Sequence, residues 1–214
     1  MNPQRVLTLL GFLIGAVGLV LQFAISIPAS LSAGRNLADA LITFFTYYTI
    51  LTNLTLVLIY LSDLTKARWL GWFRSARTRA MMAGAILLVM LFYHALLASL
   101  WSPEGVAWVA DTILHYVTPI FYIIWWWIFA DHGKLARRDV PLMLVPSLIY
   151  IVWVLLRGAV VAEYPYPVFN VTDLGYPQVL VNIVIVAVVL AVFFACALAA
   201  DRYLARSSTI RTSE

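Results

Sequence analysis

Six stretches of about 20 mostly apolar residues dominate this chain of 214 residues. An α-helix needs about 20 such residues to cross the hydrocarbon core of a bilayer. Lipid offers the backbone no hydrogen-bond partners, so only helices and closed barrels span it, and these stretches lack the alternation of barrel strands. We therefore predict an all-α, polytopic membrane protein that forms one domain, residues 1–214, with six transmembrane helices. The predicted spans are residues 6–27, 41–61, 81–101, 111–129, 140–156 and 179–200.

The composition supports this class. Hydrophobic residues make up 64% of the chain and charged residues 11%, whereas soluble domains have roughly half and a quarter. The first stretch is longer than the apolar core of a signal peptide, so we expect it to be a retained helix. The single cysteine, Cys196, lies in an apolar run and has no partner for an intrachain disulfide.

The positive charges predict the orientation. Twelve of the 14 Lys and Arg residues fall in the N-terminus, the 62–80 and 131–139 connections and the C-terminal tail; the exceptions are Arg35 and Arg157. Because positive residues concentrate on the cytoplasmic side, we expect both termini in the cytoplasm and the protein in the cell membrane. The basic residues form no aromatic-interleaved patch, so we expect no nucleic-acid partner.

The second predicted helix carries an unusual polar series. Threonines recur every third residue from 43 to 55, and Thr46, Thr49 and Asn53 are expected on one helix face. Threonine in a membrane helix commonly bonds its own backbone carbonyl one turn earlier, which is the structural alternative for each. The amide of Asn53 needs partners on another helix.

The fourth predicted helix holds the ionisable pair Asp111 and His115. They lie four residues apart, so they share a helix face and can form a hydrogen bond. Pro119 lacks the amide that would bond the His115 carbonyl, so we expect a kink there. The alternative for His115 is a purely structural interhelical hydrogen bond.

Two further polar residues are His94 and Arg157. Counting depth from the span ends predicts that His94, His115, Thr49 and Asn53 line one cavity in the outer half of the membrane. We expect Arg157 near its mouth and residues 162–178, rich in proline and aromatics, as an ordered cap. An interhelical hydrogen bond for His94 and an interfacial position for Arg157 are the alternatives.

These residues fit acyl transfer. A threonine hydroxyl needs a base to take its proton, and His115 is the candidate, with Asp111 orienting the ring. Asn53 or His94 is the candidate donor to a developing oxyanion. The membrane position favours a lipid ester or other amphiphile, and we expect no cofactor.

Four sequence elements carry a family resemblance: FFTYYTILTNLTL, FYHALLASLWSPEG, DTILHYVTP and EYPYPVFNVTDLGY. With the six spans, they resemble the bacterial six-span membrane proteins with conserved prolines. That group is distantly similar to the androgen-induced and androgen-dependent (FAR-17a-like) membrane hydrolases. The resemblance implies cleavage of fatty-acid esters of hydroxy fatty acids, with Thr49 as nucleophile and His115 as the histidine. Thr46 and Thr52 are alternative counterparts of that threonine.

Other functions stay open at this stage. The main alternative is a non-catalytic protein that binds or moves a lipid or other amphiphile through the same cavity. A metal site formed by His94, His115 and Asp111 is a minor alternative, and no charge ring or carbonyl filter indicates a channel. Gly11 and Gly15 form a GxxxG motif, for which packing inside the bundle is favoured over homo-oligomerisation.

Overall fold

The computed structural model describes residues 2–100 and 102–211, with side chains described up to residue 206. Every regular element in these ranges is helical, and six helical segments are long and apolar enough to cross a membrane. The third predicted span ended at Trp101, which lies outside the described residues. The spanning segments are Pro3–Ser32, Tyr48–Thr65, Ala76–Leu97, Gly105–Phe129, Asp139–Val161 and Val171–Arg206.

Large apolar side chains face outward along these segments. Val20 is 66% exposed, Ile149 65% and Val160 84%. A water-soluble protein of this size would hide such side chains, whereas lipid tails solvate them. The described residues therefore form a multi-pass, all-helical membrane protein.

The chain separates into two compact units, Met1–His132 and Gly133–Glu214. The single domain expected from the sequence stays a prediction. The first unit contains six α-helices joined by two π-helical turns, Tyr93–Leu97 and Ile113–Val117, and one 3₁₀ segment, Arg68–Arg74. Its α-helices are α1 (Pro3–Ser32), α2 (Leu37–Thr46), α3 (Tyr48–Thr65), α4 (Ala76–Phe92), α5 (Gly105–Thr112) and α6 (Thr118–Phe129).

The second predicted span, 41–61, is wrong as a single helix. At Tyr47 the backbone is extended, with φ −77° and ψ 125°, so α2 ends before it and α3 begins after it. No proline or glycine lies at the break. Thr46 therefore belongs to a different helix from Thr49 and Asn53, and the three do not share one continuous helix face.

The glycines of α1 allow close packing inside the first unit. A Cβ atom at Gly11 would lie 2.5 Å from the Tyr60 ring, and one at Gly15 would lie 2.8 Å from Val57. A Cβ at Gly18 would meet Ile113 at 2.6 Å. The GxxxG face thus packs against α3 and the turn that follows α5, in agreement with the favoured interpretation.

The second unit contains α7 (Asp139–Val161), a 3₁₀ turn (Pro167–Phe169) and α8 (Val171–Arg211). The predicted 162–178 cap is shorter than expected, because α8 already begins at Val171. Gly175, with φ +72° and ψ 158°, interrupts the helical geometry of α8 near its start. The Asn182 amide donates to the Val168 carbonyl at 2.8 Å and so attaches the connection to α8.

Candidate functional site

The break at Tyr47 places Thr49 in the first turn of α3. The amides of Ile50 and Leu51 both donate to the Tyr47 carbonyl, at 3.1 and 3.2 Å, and no side chain caps this end. A helix N-terminus carries a partial positive charge. The Thr49 hydroxyl therefore lies where a helix dipole favours negative charge, and the side chain is buried, with 7% exposed.

The threonines of this region separate into two kinds. Thr46, Thr52 and Thr55 each donate to the carbonyl four residues earlier, at 2.7–2.8 Å, as expected for threonine in a membrane helix. The Thr49 Oγ1 atom lies 3.3 Å from Nε2 of His115, a contact that crosses to another helical segment. The structure thus brings Thr49 and His115 together, as the sequence predicts.

The hydrogen bond of Nδ1, the other ring nitrogen of His115, determines whether Nε2 can accept a proton. Nδ1 lies 3.1 Å from the main-chain oxygen of Asp111, where hydrogen-bond geometry is met, and 3.1 Å from its carboxylate Oδ1. A main-chain oxygen can only accept a hydrogen bond, so Nδ1 carries the hydrogen. In the neutral ring Nε2 is then the acceptor, and it faces the Thr49 hydroxyl.

Tyr93 completes this arrangement, and the sequence analysis missed it. Its hydroxyl donates to Oδ2 of Asp111 at 2.6 Å. Its ring stacks on the His115 ring, with centroids 3.8 Å apart and planes 14° apart. The only sequence signal for Tyr93 is its position beside the predicted site residue His94. Tyr93 is buried and holds both the imidazole and the carboxylate.

Both helices that supply these residues widen at the site. In the turn Tyr93–Leu97, the Ala98 amide donates to the Tyr93 carbonyl, and in Ile113–Val117 the Thr118 amide donates to the Ile113 carbonyl. These five-residue spacings define π turns, which are rare and frequent at functional sites. The kink predicted at Pro119 takes the form of the second π turn, which ends two residues before that proline.

Asn53 connects α3 to the second π turn. Its amide nitrogen donates to the carbonyls of Thr49 (2.9 Å) and Leu114 (3.1 Å), and its carbonyl accepts the Thr118 hydroxyl. An amide has two hydrogens, and both are used here. Asn53 therefore connects helices beside Thr49. Because both of its amide hydrogens are already bonded, it has none to donate to an oxyanion as the sequence analysis expected.

His94 is placed away from the His115 pair. Its Nδ1 lies 3.2 Å from the Tyr116 hydroxyl, and the side chain is exposed on the outside of the π turn. The exposed neighbours Leu91 and Leu96 place it on an apolar surface. The interhelical hydrogen bond that was the alternative for His94 is therefore present.

The structure gives contacts for the two remaining predicted residues, Thr46 and Arg157. Thr46 is buried and bonds the Ile42 carbonyl. Arg157 belongs to the second unit, where its guanidinium donates to the carboxylate and main-chain oxygen of Glu163 at 3.2 and 3.3 Å. Of the predicted set, the structure groups Thr49, His115, Asp111 and Asn53.

A metal site would need three ligating side chains around one ion. Within residues 2–100 and 102–211, no group of three His, Cys, Asp or Glu side chains comes together in that way. The alternative built on His94, His115 and Asp111 fails geometrically, because His94 pairs with Tyr116.

Comparison with known proteins adds no assignment: no family model, curated protein or solved structure matches the chain. The class defined by fold and site is therefore a multi-pass helical membrane protein with a buried threonine–histidine contact.

Proposed function

We propose that this protein is an intramembrane hydrolase of lipid esters, in which Thr49 is the nucleophile and His115 the general base. The observation that carries the proposal is the 3.3 Å contact between Thr49 Oγ1 and His115 Nε2. Among the hydroxyls of α2 and α3, this one faces an imidazole nitrogen that can accept its proton.

The reaction follows from this geometry. Thr49 Oγ1 attacks the ester carbonyl carbon while its proton moves to His115 Nε2. The tetrahedral intermediate expels the alcohol oxygen, which takes that proton, and an acyl-threonine remains. Water then attacks the acyl carbon and gives a proton to Nε2. Collapse releases the fatty acid and returns the proton to Thr49.

Asp111 and Tyr93 support the histidine in this scheme. The main-chain oxygen of Asp111 keeps the hydrogen on Nδ1, and its carboxylate Oδ1, 3.1 Å from Nδ1, lies close enough to stabilise the imidazolium that forms during attack. Tyr93 is a positioning residue, because its hydroxyl fixes Asp111 and its ring fixes the plane of His115.

The N-terminus of α3 favours negative charge on the reacting oxygens. The positive end of this 18-residue helix lies at Thr49, where negative charge develops on the attacking oxygen and then on the ester carbonyl oxygen. In a buried environment such a fixed dipole acts with little screening.

A lipid ester is the substrate class that the surroundings support. Thr49 and His115 lie in helical segments apolar enough to span a membrane, and their neighbours Ile50 and Leu114 belong to an apolar core cluster with α1 and α2. A substrate that reaches such a site partitions into lipid, as a fatty-acyl ester does. The proposed topology places both termini in the cytoplasm and the protein in the cell membrane, as the positive charges favour.

Labelling with a fluorophosphonate tests this function. We expect Thr49 to displace fluoride and carry the phosphonyl group, located by peptide mass spectrometry, in the folded wild-type protein. Thr49→Ala and His115→Ala should remove the label, whereas Thr52→Ala, which deletes a hydroxyl bonded to its own helix, should retain it. A folded, monodisperse wild type that takes no label would contradict the hydrolase and favour a protein that binds lipid without chemistry.

A further inference from the structure

A second polar cluster lies at the opposite end of α3 from Thr49. Asp63 and Thr49 are 14 residues apart on this helix, which corresponds to about 21 Å. Oδ1 of Asp63 accepts from Arg79 Nη2 at 2.6 Å and from Lys66 Nζ at 3.1 Å. The hydrolase mechanism uses none of these residues.

Positive charge exceeds negative charge in this cluster. Besides Lys66 and Arg79, Arg74 lies here, because its Nη1 donates to the carbonyls of Ser62 and Ala67 at 3.0 Å each. Three cations thus surround the single carboxylate of Asp63. The α4 helix also begins here without any acidic residue in its first turn, so its positive end adds to the excess.

Lys66 occupies a position where its own backbone is strained. It follows the last residue of α3 with φ +55° and ψ 20°, the left-handed conformation for which glycine is the usual residue. Its ammonium is exposed, with 68% of the side-chain surface accessible. A lysine here keeps a charge at a cost in backbone energy, which indicates that the charge has a use.

Two tryptophans indicate the depth in the membrane of the polar cluster at the C-terminal end of α3. Trp69 is 76% exposed and Trp72 56% exposed, both in the 3₁₀ segment Arg68–Arg74. Exposed tryptophans of membrane proteins concentrate at the level of the lipid headgroups. The excess positive charge therefore lies at the depth of the lipid phosphates.

We propose that the connection between α3 and α4, residues 66–75, binds the phosphate of an anionic phospholipid, with Lys66 and Arg68 as its exposed contacts. Arg74 and Arg79 are held by protein oxygens and keep the connection folded. This proposal is independent of the hydrolase and requires only a bilayer.

Native mass spectrometry in detergent tests the proposal with added phosphatidylglycerol or phosphatidylcholine. We expect the wild type to retain phosphatidylglycerol at least about tenfold better than phosphatidylcholine. The variant Lys66→Gly/Arg68→Gln should lose most of this preference, since each cation near a lipid surface contributes about fivefold. Glycine fits the left-handed position, so loss of the fold does not explain the effect.

The matched control is Arg137→Gln/Arg138→Gln, which removes two exposed charges from the connection before α7. It should leave the preference unchanged, and inorganic phosphate at millimolar concentration should not displace the lipid. Equal retention of the two lipids would overturn the proposal. So would an equal loss in both variants, or displacement by phosphate, which would indicate a site for free anions.

Discussion

The Tyr93 hydroxyl donates to Oδ2 of Asp111 at 2.6 Å, while the Tyr93 ring lies flat on His115. One side chain from the turn after α4 therefore fixes both Asp111, in the last turn of α5, and His115, in the π turn that follows α5. The imidazole that faces Thr49 is held by Asp111 from one edge and by Tyr93 on its face. These two contacts hold His115 in one orientation, as a general base requires, whereas a histidine that only joins two helices does not need them.

Tyr93→Phe should slow fluorophosphonate labelling about 10- to 100-fold, because a hydrogen bond to a carboxylate is lost while the ring stack remains. The probe concentration at half-maximal rate should stay unchanged, since Tyr93 touches no substrate atom. Tyr93→Leu, which also loses the stack, should label more slowly still. Tyr116→Phe deletes a neighbouring hydroxyl bonded to His94 and should label at the wild-type rate. Equal effects of Phe at 93 and 116 would refute the positioning role.

Asp111→Asn tests whether the carboxylate charge assists His115. The main-chain oxygen at 111 still accepts from Nδ1, so the tautomer is kept, whereas the charge 3.1 Å from Nδ1 is lost. We expect labelling to fall roughly 10- to 100-fold, because the imidazolium that forms during attack loses its stabilising carboxylate. The thermal midpoint, recorded in the same detergent, shows whether the variant is folded. Wild-type labelling of a folded variant would make Asp111 a structural partner of Tyr93 alone.

Which threonine is the nucleophile is tested by substitutions at Thr49 and, for comparison, at Thr46 and Thr52. Thr49→Ser keeps the hydroxyl and should label at a rate within about tenfold of wild type, whereas Thr49→Val keeps the shape and should not label. Thr46→Val and Thr52→Val remove hydroxyls bonded to their own helices and should label normally. Label found on Thr46 or Thr52 would transfer the nucleophile to that residue.

The membrane-spanning helices are predictable from the sequence, because hydrophobicity determines them. Spans such as α1 and α7 follow from the length of an apolar run, because lipid selects for length and composition. The i, i+4 contact of Asp111 with His115 follows from helix geometry. The contact of Thr49 with His115 is predicted only from depth and from the family resemblance, since sequence spacing does not specify which helices are neighbours.

The unpredicted features are local departures from the α-helix. The break at Tyr47 has no proline or glycine at it. In the π turn 113–117 the Leu114 carbonyl accepts the Asn53 amide from α3, and the Ile113 carbonyl accepts the Thr118 amide. Such tertiary contacts become visible only once neighbouring helices are known.

Asn53→Ala should destabilise the first unit by about 2 kcal/mol. The residue is fully buried and makes three hydrogen bonds, two of them to the π turn 113–117 or the residue after it. Interhelical hydrogen bonds in membrane proteins contribute about 0.6 kcal/mol each, and the loss also leaves the Leu114 carbonyl with only a long contact of 3.4 Å from the Thr118 hydroxyl. The measurement is the unfolding free energy in mixed micelles. Thr55→Ala, which loses one bond within its helix, is the control, and an equal loss in both would contradict a connecting role for Asn53.

Gly11→Ala tests whether the GxxxG face packs inside the protein. The added Cβ would lie 2.5 Å from the Tyr60 ring and 2.8 Å from Phe121, so α1 must shift, at a cost of about 1–3 kcal/mol. Gly71→Ala is the matched control, since its Cβ would lie 3.9 Å from the nearest atom, a nitrogen of Arg74. Thermal unfolding in detergent should show a lower midpoint for the first variant and little change for the second. If Gly11→Ala instead kept the midpoint and changed the oligomeric mass by light scattering, the face would serve contacts between copies, because overpacking within one chain lowers its stability at any protein concentration.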